Sequence, residues 1–147
     1  MNTMTPFPLR LSWAQGLVER GDHGAAAVAL AELVEEAESA RARPADLATS
    51  GDAPGDEAVL HSVTELRLLL ARAYFQSAQL GRAEATLLRV IDDAPTDAYA
   101  HLLLGRTLQR AGRHAEAARP LALAEVLGGY ERPKAYGATR LSEPTSA

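Results

Sequence analysis

The sequence contains no cysteine, and aromatic residues make up only 5% of it. Without cysteine there is no disulfide framework, no thiolate zinc site and no cysteine nucleophile. The hydrophobic fraction is 47%, and much of it is alanine and leucine. These residues favour helices, whereas a β-sandwich requires more β-branched and aromatic side chains. The composition therefore predicts an all-α protein, and 147 residues are typical of one domain.

Lysine is also scarce. Lys134 is the only lysine, and the net charge is -4, which argues against nucleic acid as the main partner. Arginine in place of lysine, together with abundant alanine, is typical of GC-rich bacterial genomes. No apolar run approaches the roughly 20 residues that span a bilayer. Residues 1–11 lack a basic start followed by an apolar stretch, so we expect no signal peptide, no membrane partner and a cytoplasmic location.

The sequence has no recognisable catalytic or metal-binding motif. No two histidines have the spacing of a zinc motif, and no serine lies in a Gly-x-Ser-x-Gly context. No glycine-rich phosphate loop is present. An acidic run that ends at Glu38 is interpreted as a solvated helix face, and Trp13 as a core residue. We therefore expect a non-enzyme with no cofactor and no metal.

A pattern that occurs twice, 34 residues apart, dominates residues 64–131. Leu70-Ala71-Arg72-Ala73-Tyr74 aligns with Leu104-Gly105-Arg106-Thr107-Leu108. Ala83, Leu87 and Val90 align with Ala117, Leu121 and Ala124 in the same way. Small residues allow two antiparallel helices to cross closely, and the large apolar residues fill the space beside each crossing. A period of this length predicts repeated helix–turn–helix units, with Thr96 or Asp97 capping a new helix after Pro95.

The pattern resembles the tetratricopeptide repeat. The similarity is clearest in two segments, residues 93–105 and residues 111–117. The chain departs from the family pattern at Val90, where a small residue is usual, at His101, where a large apolar residue is usual, and at Gly129, which replaces a closing proline. Residues 7–40 fit the pattern less closely and are identified as a degenerate first repeat.

The resemblance implies three helix–turn–helix hairpins in a short right-handed α-solenoid. Residues 1–7 are expected to be a loose N-terminus, and residues 8–131 the repeat domain. Within this domain we expect repeats at 7–40, 64–97 and 98–131, a loop at 41–56 rich in turn residues, and a helical extension at 57–63. Residues 132–147 are expected to be a flexible tail.

The first helices of such a solenoid line its concave side. By the family's geometry, the partner-binding residues form an apolar strip beside repeated arginines: Leu68, Leu69, Arg72, Phe75, Gln76, Tyr99, Leu102, Leu103, Arg106, Gln109 and Arg110. The resemblance thus implies an adaptor or scaffold that binds an acidic, partly apolar protein segment in this groove. The alternative is a structural subunit of a homodimer or larger complex. Its contacts would be made through exposed helix faces, with an open end at Leu121, Leu123, Val126 and Leu127.

Overall fold

The computed structural model describes residues 5–43 and 56–130, with only the backbone given for residues 56–61. The predicted tail at 132–147, most of the predicted loop at 41–56 and the first four residues lie outside the described residues. The described part is all α-helical and contains six helices: α1 Phe7–Glu19, α2 His23–Arg41, α3 Asp56–Gln76, α4 Leu80–Asp93, α5 Ala98–Arg110 and α6 His114–Gly128. Each helix packs against its neighbours in the sequence, and α3 also touches α5. The result is a helical repeat solenoid of three hairpins.

The three hairpins turn in the same way. The second residue after each first helix has a left-handed backbone, with φ of 81° at Gly21, 61° at Ala78 and 78° at Gly112. The next backbone N–H then donates back across the end of the helix, from Asp22 to Leu17, from Gln79 to Tyr74 and from Arg113 to Leu108, at 2.8–2.9 Å. This pair of features is the Schellman motif that ends many helices. The hairpin formed by α1 and α2 thus has the same turn as the other two.

Aspartates fix where two of the helices begin. The side chain of Asp22 accepts from the backbone N–H of Ala25 at 3.2 Å at the start of α2. The side chain of Asp97, rather than Thr96, accepts from the backbone N–H of Ala100 at 2.9 Å at the start of α5. Each satisfies one of the backbone donors that a helix start leaves without an intrahelical acceptor.

Small residues lie where the paired helices cross, as the sequence predicts. Ala71, Ala83 and Ala117 are fully buried, and a Cβ atom added to Gly105 would lie 2.4 Å from Cδ2 of Leu121. A side chain at position 105 would therefore have to displace the side chain of Leu121, which packs directly on this glycine. Large residues such as Leu87 fill the space beside the crossings.

Two hydrophobic clusters share α3. The first combines α1 and α2 with Leu66, Leu70 and Ala73 of α3. The second combines Ala71 of α3 with Leu87 and the buried residues of α4, α5 and α6. Opposite faces of α3 thus join the first hairpin to the other two.

Two expectations about single side chains need correction. Trp13 is not a core residue, because 56% of its surface is exposed on α1. The acidic run is not simply a solvated face, because Glu36 pairs with Arg10 and Glu38 pairs with Arg67. His101, the residue that departs from the family pattern, is buried, and its Nε2 lies 2.7 Å from the carbonyl oxygen of Pro95.

Candidate functional site

The first helices α3 and α5 are tied together at their C-terminal ends. Nη1 of Arg110 donates to the carbonyl oxygen of Phe75 at 2.5 Å, and its guanidinium lies 5.1 Å from the centre of the Phe75 ring. A cation over an aromatic face adds electrostatic attraction to this hydrogen bond. Two of the predicted partner-binding residues therefore hold the site together.

Two arginines at the same position of the repeat project from this pair of helices. Arg72 of α3 and Arg106 of α5 are both exposed, and neither has a hydrogen bond or ion pair among the described residues. Arg67 and Arg113, in contrast, are paired with carboxylates. The charges of Arg72 and Arg106 are thus available to a partner that carries carboxylates.

Apolar side chains lie beside these arginines. Leu68 and Leu102 share a repeat position, are half-buried and pack against the second cluster, as does Tyr99. Gln76 is exposed at the end of α3. Together these residues form the concave strip: Leu68, Arg72, Gln76, Tyr99, Leu102 and Arg106. It combines partly exposed apolar surface with two cations.

Three other predicted residues face elsewhere. Leu103 is buried in the second cluster, and Leu69 at the same repeat position packs against the first cluster. Leu103 therefore presents little surface to a ligand, whereas Leu69 is half-buried and faces the first hairpin. Gln109 is half-buried and already has a contact within the chain.

A buried ion-pair cluster connects three helices, and sequence reasoning missed it. Arg67 of α3 is almost fully buried, its Nε donates to Oε1 of Glu38 in α2 at 2.8 Å, and its Nη1 pairs with Asp93 of α4. The pair between Arg10 and Glu36 in the first hairpin repeats the pair between Arg67 and Asp93, with the same separation of 26 residues. The ion pairs could have been found in the sequence from this shared separation of 26 residues. Because the pair recurs in two hairpins, we assign these residues a structural rather than a catalytic role.

A second charge cluster links α4 to α6. Arg113 donates to Glu84 at 2.6 Å and to both carboxylate oxygens of Glu116 at 2.6 and 2.8 Å. These hydrogen bonds hold the pKa of Glu116 below its usual value and raise the pKa of Arg113. The cluster is largely exposed to solvent, so its ion pairs add little to stability.

The C-terminal end of the solenoid differs from the predicted open end in which residues are exposed. Leu121 is buried against Gly105, whereas Leu123, Val126 and Leu127 of α6 are exposed, as is Tyr130 just after the helix. The first three of these occupy repeat positions that carry charged residues in α2 and α4. In α2 the equivalents of Leu123 and Val126 are Glu32 and Glu35, which line the cavity beside the next hairpin.

No feature among the described residues indicates a catalytic or metal centre. A cavity of about 260 Å³ lies between α2 and the turn from α3 to α4, lined by Ala27, Val28, Ala31, Glu32, Glu35, Tyr74, Gln79 and Arg82. This volume is below the range of about 300–1,000 Å³ that is typical of small-molecule sites. In the described ranges no group of histidine, aspartate or glutamate residues could hold a metal ion. No helix in that part of the chain is long and apolar enough to cross a membrane.

Comparison with known families agrees with the repeated geometry. A family model for the tetratricopeptide repeat matches residues 63–107, from α3 into α5. A search of curated proteins found no match to the chain. The matched residues include the close crossing at Gly105 and the capped start of α5, and the hairpins on either side repeat the same turn. Residues 63–107 therefore match the tetratricopeptide repeat, and they lie within a helical repeat solenoid.

Proposed function

We propose that this protein is a non-enzymatic adaptor that binds an acidic, partly apolar protein segment along its concave strip. Tetratricopeptide repeats generally mediate protein–protein interaction. The observation that carries the proposal is the pair of exposed, unpaired arginines at one repeat position, next to half-buried leucines. A cytoplasmic, bacterial setting belongs to the same proposal and rests on the composition.

The apolar and the charged residues of the concave strip have different proposed roles in binding. Leu68, Leu102 and Tyr99 supply apolar surface, whose burial provides most of the affinity. Arg72 and Arg106 pair with carboxylates of the ligand and so determine its register and speed its association. Lysine and asparagine, which some family members use to clamp a terminal carboxylate, are absent from the strip, so we expect an internal segment as the ligand.

The test begins with peptides selected from a random library on the wild-type protein. Their affinities are then measured by fluorescence anisotropy for wild type, for the double variant Arg72→Glu and Arg106→Glu, and for a control. The control is Arg20→Glu with Arg119→Glu, which makes the same change of charge at two exposed residues off the strip.

We expect the selected peptides to be rich in aspartate or glutamate and to contain apolar residues. The double variant in the strip should bind them at least about tenfold more weakly, equivalent to about 1.4 kcal/mol, and the control should bind them as wild type does. Added salt should weaken wild-type binding, since the arginines act partly through long-range attraction. Equal affinities for the strip variant and the control would show that the site lies elsewhere.

A further inference from the structure

The cavity between the first two hairpins lies where the next junction has an ion pair. At that next junction, Arg113 of the third hairpin reaches Glu84 of the second at 2.6 Å. Gln79 and Ala27 occupy the same repeat positions at the first junction, and alanine offers no acceptor to a side chain from the next hairpin. A water molecule occupies about 30 Å³ in the liquid. The cavity of about 260 Å³ therefore has room for one side chain of several heavy atoms.

Two glutamates on the α2 side of this cavity have no partner. Glu32 and Glu35 are exposed, lie three residues apart on one face of the helix, and have no hydrogen bond or ion pair among the described residues. The neighbouring Glu36 and Glu38, in contrast, are paired with arginines. Like charges at this spacing repel each other, so a cation placed between Glu32 and Glu35 would be attracted by both.

The polar groups on the opposite wall are already engaged within the second hairpin. Nη1 of Arg82 donates to Oε1 of Gln79 at 3.1 Å, and Nε2 of Gln79 donates to Oγ of Ser77 at 2.9 Å. The Arg82 guanidinium also lies 5.9 Å from the centre of the Tyr74 ring. Arg82 makes no ion pair in the described part of the chain, so it does not neutralise the glutamates across the cavity.

The surface between the two walls is apolar. Ala31 and the ring of Tyr74 are partly buried against the first cluster, and Val28 at the rim is 59% exposed. The cavity thus presents an apolar floor next to two unpaired carboxylates. This combination matches a side chain that has a long aliphatic part and a positive charge at its tip.

We propose that this cavity is a second binding site, which takes one arginine or lysine side chain of a protein partner. The aliphatic part lies against Ala31 and Tyr74, and the cation donates charge-assisted hydrogen bonds to Glu32 and Glu35. This proposal goes beyond the adaptor function, because the cavity takes a basic group whereas the concave strip takes an acidic segment. Either proposal can fail without the other.

The experiment uses probes that carry a single basic side chain. N-acetyl-arginine amide and N-acetyl-lysine amide are titrated at millimolar concentrations into isotope-labelled protein, and backbone amide shifts are followed by NMR. N-acetyl-norleucine amide, which has a similar aliphatic chain without the charge, is the control probe. Wild type is compared with the double variant Glu32→Gln and Glu35→Gln, and with Arg82→Gln. The matched control is Glu19→Gln with Asp92→Asn, which removes two exposed carboxylates that do not line the cavity. Circular dichroism checks that each variant is folded.

The two basic probes should shift the amides of residues 27–35 and 79–82 saturably, and the norleucine probe should not. The double glutamine variant should bind the basic probes about three- to tenfold more weakly, the range that two partly exposed ion pairs give, and the matched control should bind as wild type does. Arg82→Gln should bind them more tightly, because a like charge is removed from the lining. A purely structural role of these residues would instead weaken binding in both cavity variants.

Three results would overturn the proposal. The basic probes may cause no saturable shift in these residues, the norleucine probe may bind as well as the basic ones, or Arg82→Gln may weaken binding as much as the double glutamine variant does. The second result would leave an apolar pocket without selectivity for charge. The third would mean that the shape of the cavity, rather than its unpaired carboxylates, determines what binds.

Discussion

At the scale of single residues, the turn of the middle hairpin is the most constrained point of the backbone. Ala78 has a φ of 61°, at the repeat position where the first and third hairpins have Gly21 and Gly112. A left-handed backbone costs a residue with a Cβ atom about 1–2 kcal/mol, whereas glycine adopts it without a steric penalty. The middle hairpin therefore retains a strain that the other two avoid.

Ala78→Gly should stabilise the protein by about 0.5–1 kcal/mol, because relief of strain exceeds the added flexibility of the unfolded chain. Urea denaturation measures the effect. The matched control is Ala85→Gly, the same chemical change at an exposed position within α4, which should destabilise by up to about 1 kcal/mol. If both variants lose stability equally, the left-handed turn carries no strain.

At the scale of the helices, Arg67 joins α2, α3 and α4 through one buried guanidinium. Its carboxylate partners, Glu38 and Asp93, keep about a quarter of their side-chain surface exposed. Removing the cation would leave two carboxylates close together without their shared counter-charge. The partial exposure of the carboxylates lets water compensate for some of this loss.

Arg67→Met should therefore destabilise the protein by about 2–4 kcal/mol, somewhat below the cost of breaking a fully buried pair. Arg89→Met is the control, since Arg89 is mostly exposed and contacts Glu38 at 3.4 Å. Its loss should cost less than about 1 kcal/mol. Thermal unfolding of both variants at low and high salt checks the comparison, and similar costs would show that the buried cluster adds little stability.

The helices themselves were predictable because each one has local signals. Left-handed turns and small residues at the crossings recur with the repeat, and aspartates begin α2 and α5, so these positions follow from the sequence alone. The ion pair between Arg67 and Glu38 was not predictable in this way. It joins side chains from two hairpins and depends on the rotation of each helix about its axis, which periodicity does not determine.

At the scale of the whole molecule, the same limit explains why the predicted partner-binding residues do not all face the same way. Adjacent residues on a helix point about 100° apart, so Leu68 packs against the second cluster while Leu69 packs against the first. The repeat pattern also assumes that every hairpin has a neighbour. Trp13 occupies a position that is buried inside a solenoid, and it is exposed because α1 is the outermost described helix.

Because the molecule has two hydrophobic clusters, we expect its two ends to unfold locally and independently of each other. Leu30 is buried in the first cluster and Leu87 in the second. Either leucine replaced by alanine should cost about 2–5 kcal/mol, through lost contacts and the cavity that remains. In a solenoid each repeat is stabilised mainly by its neighbours. The loss of stability should therefore be largest in the helices near the substitution.

Native-state hydrogen exchange distinguishes these effects. Leu30→Ala should speed exchange in α1 and α2 more than in α5 and α6, and Leu87→Ala should do the reverse, with α3 affected by both. Because the concave strip lies on α3 and α5, Leu30→Ala should also leave peptide affinity within about twofold of wild type under conditions where the first hairpin opens most often. Uniform acceleration in all six helices would mean that the solenoid unfolds as one unit, and the binding surface would then depend on the first hairpin as much as on its own residues.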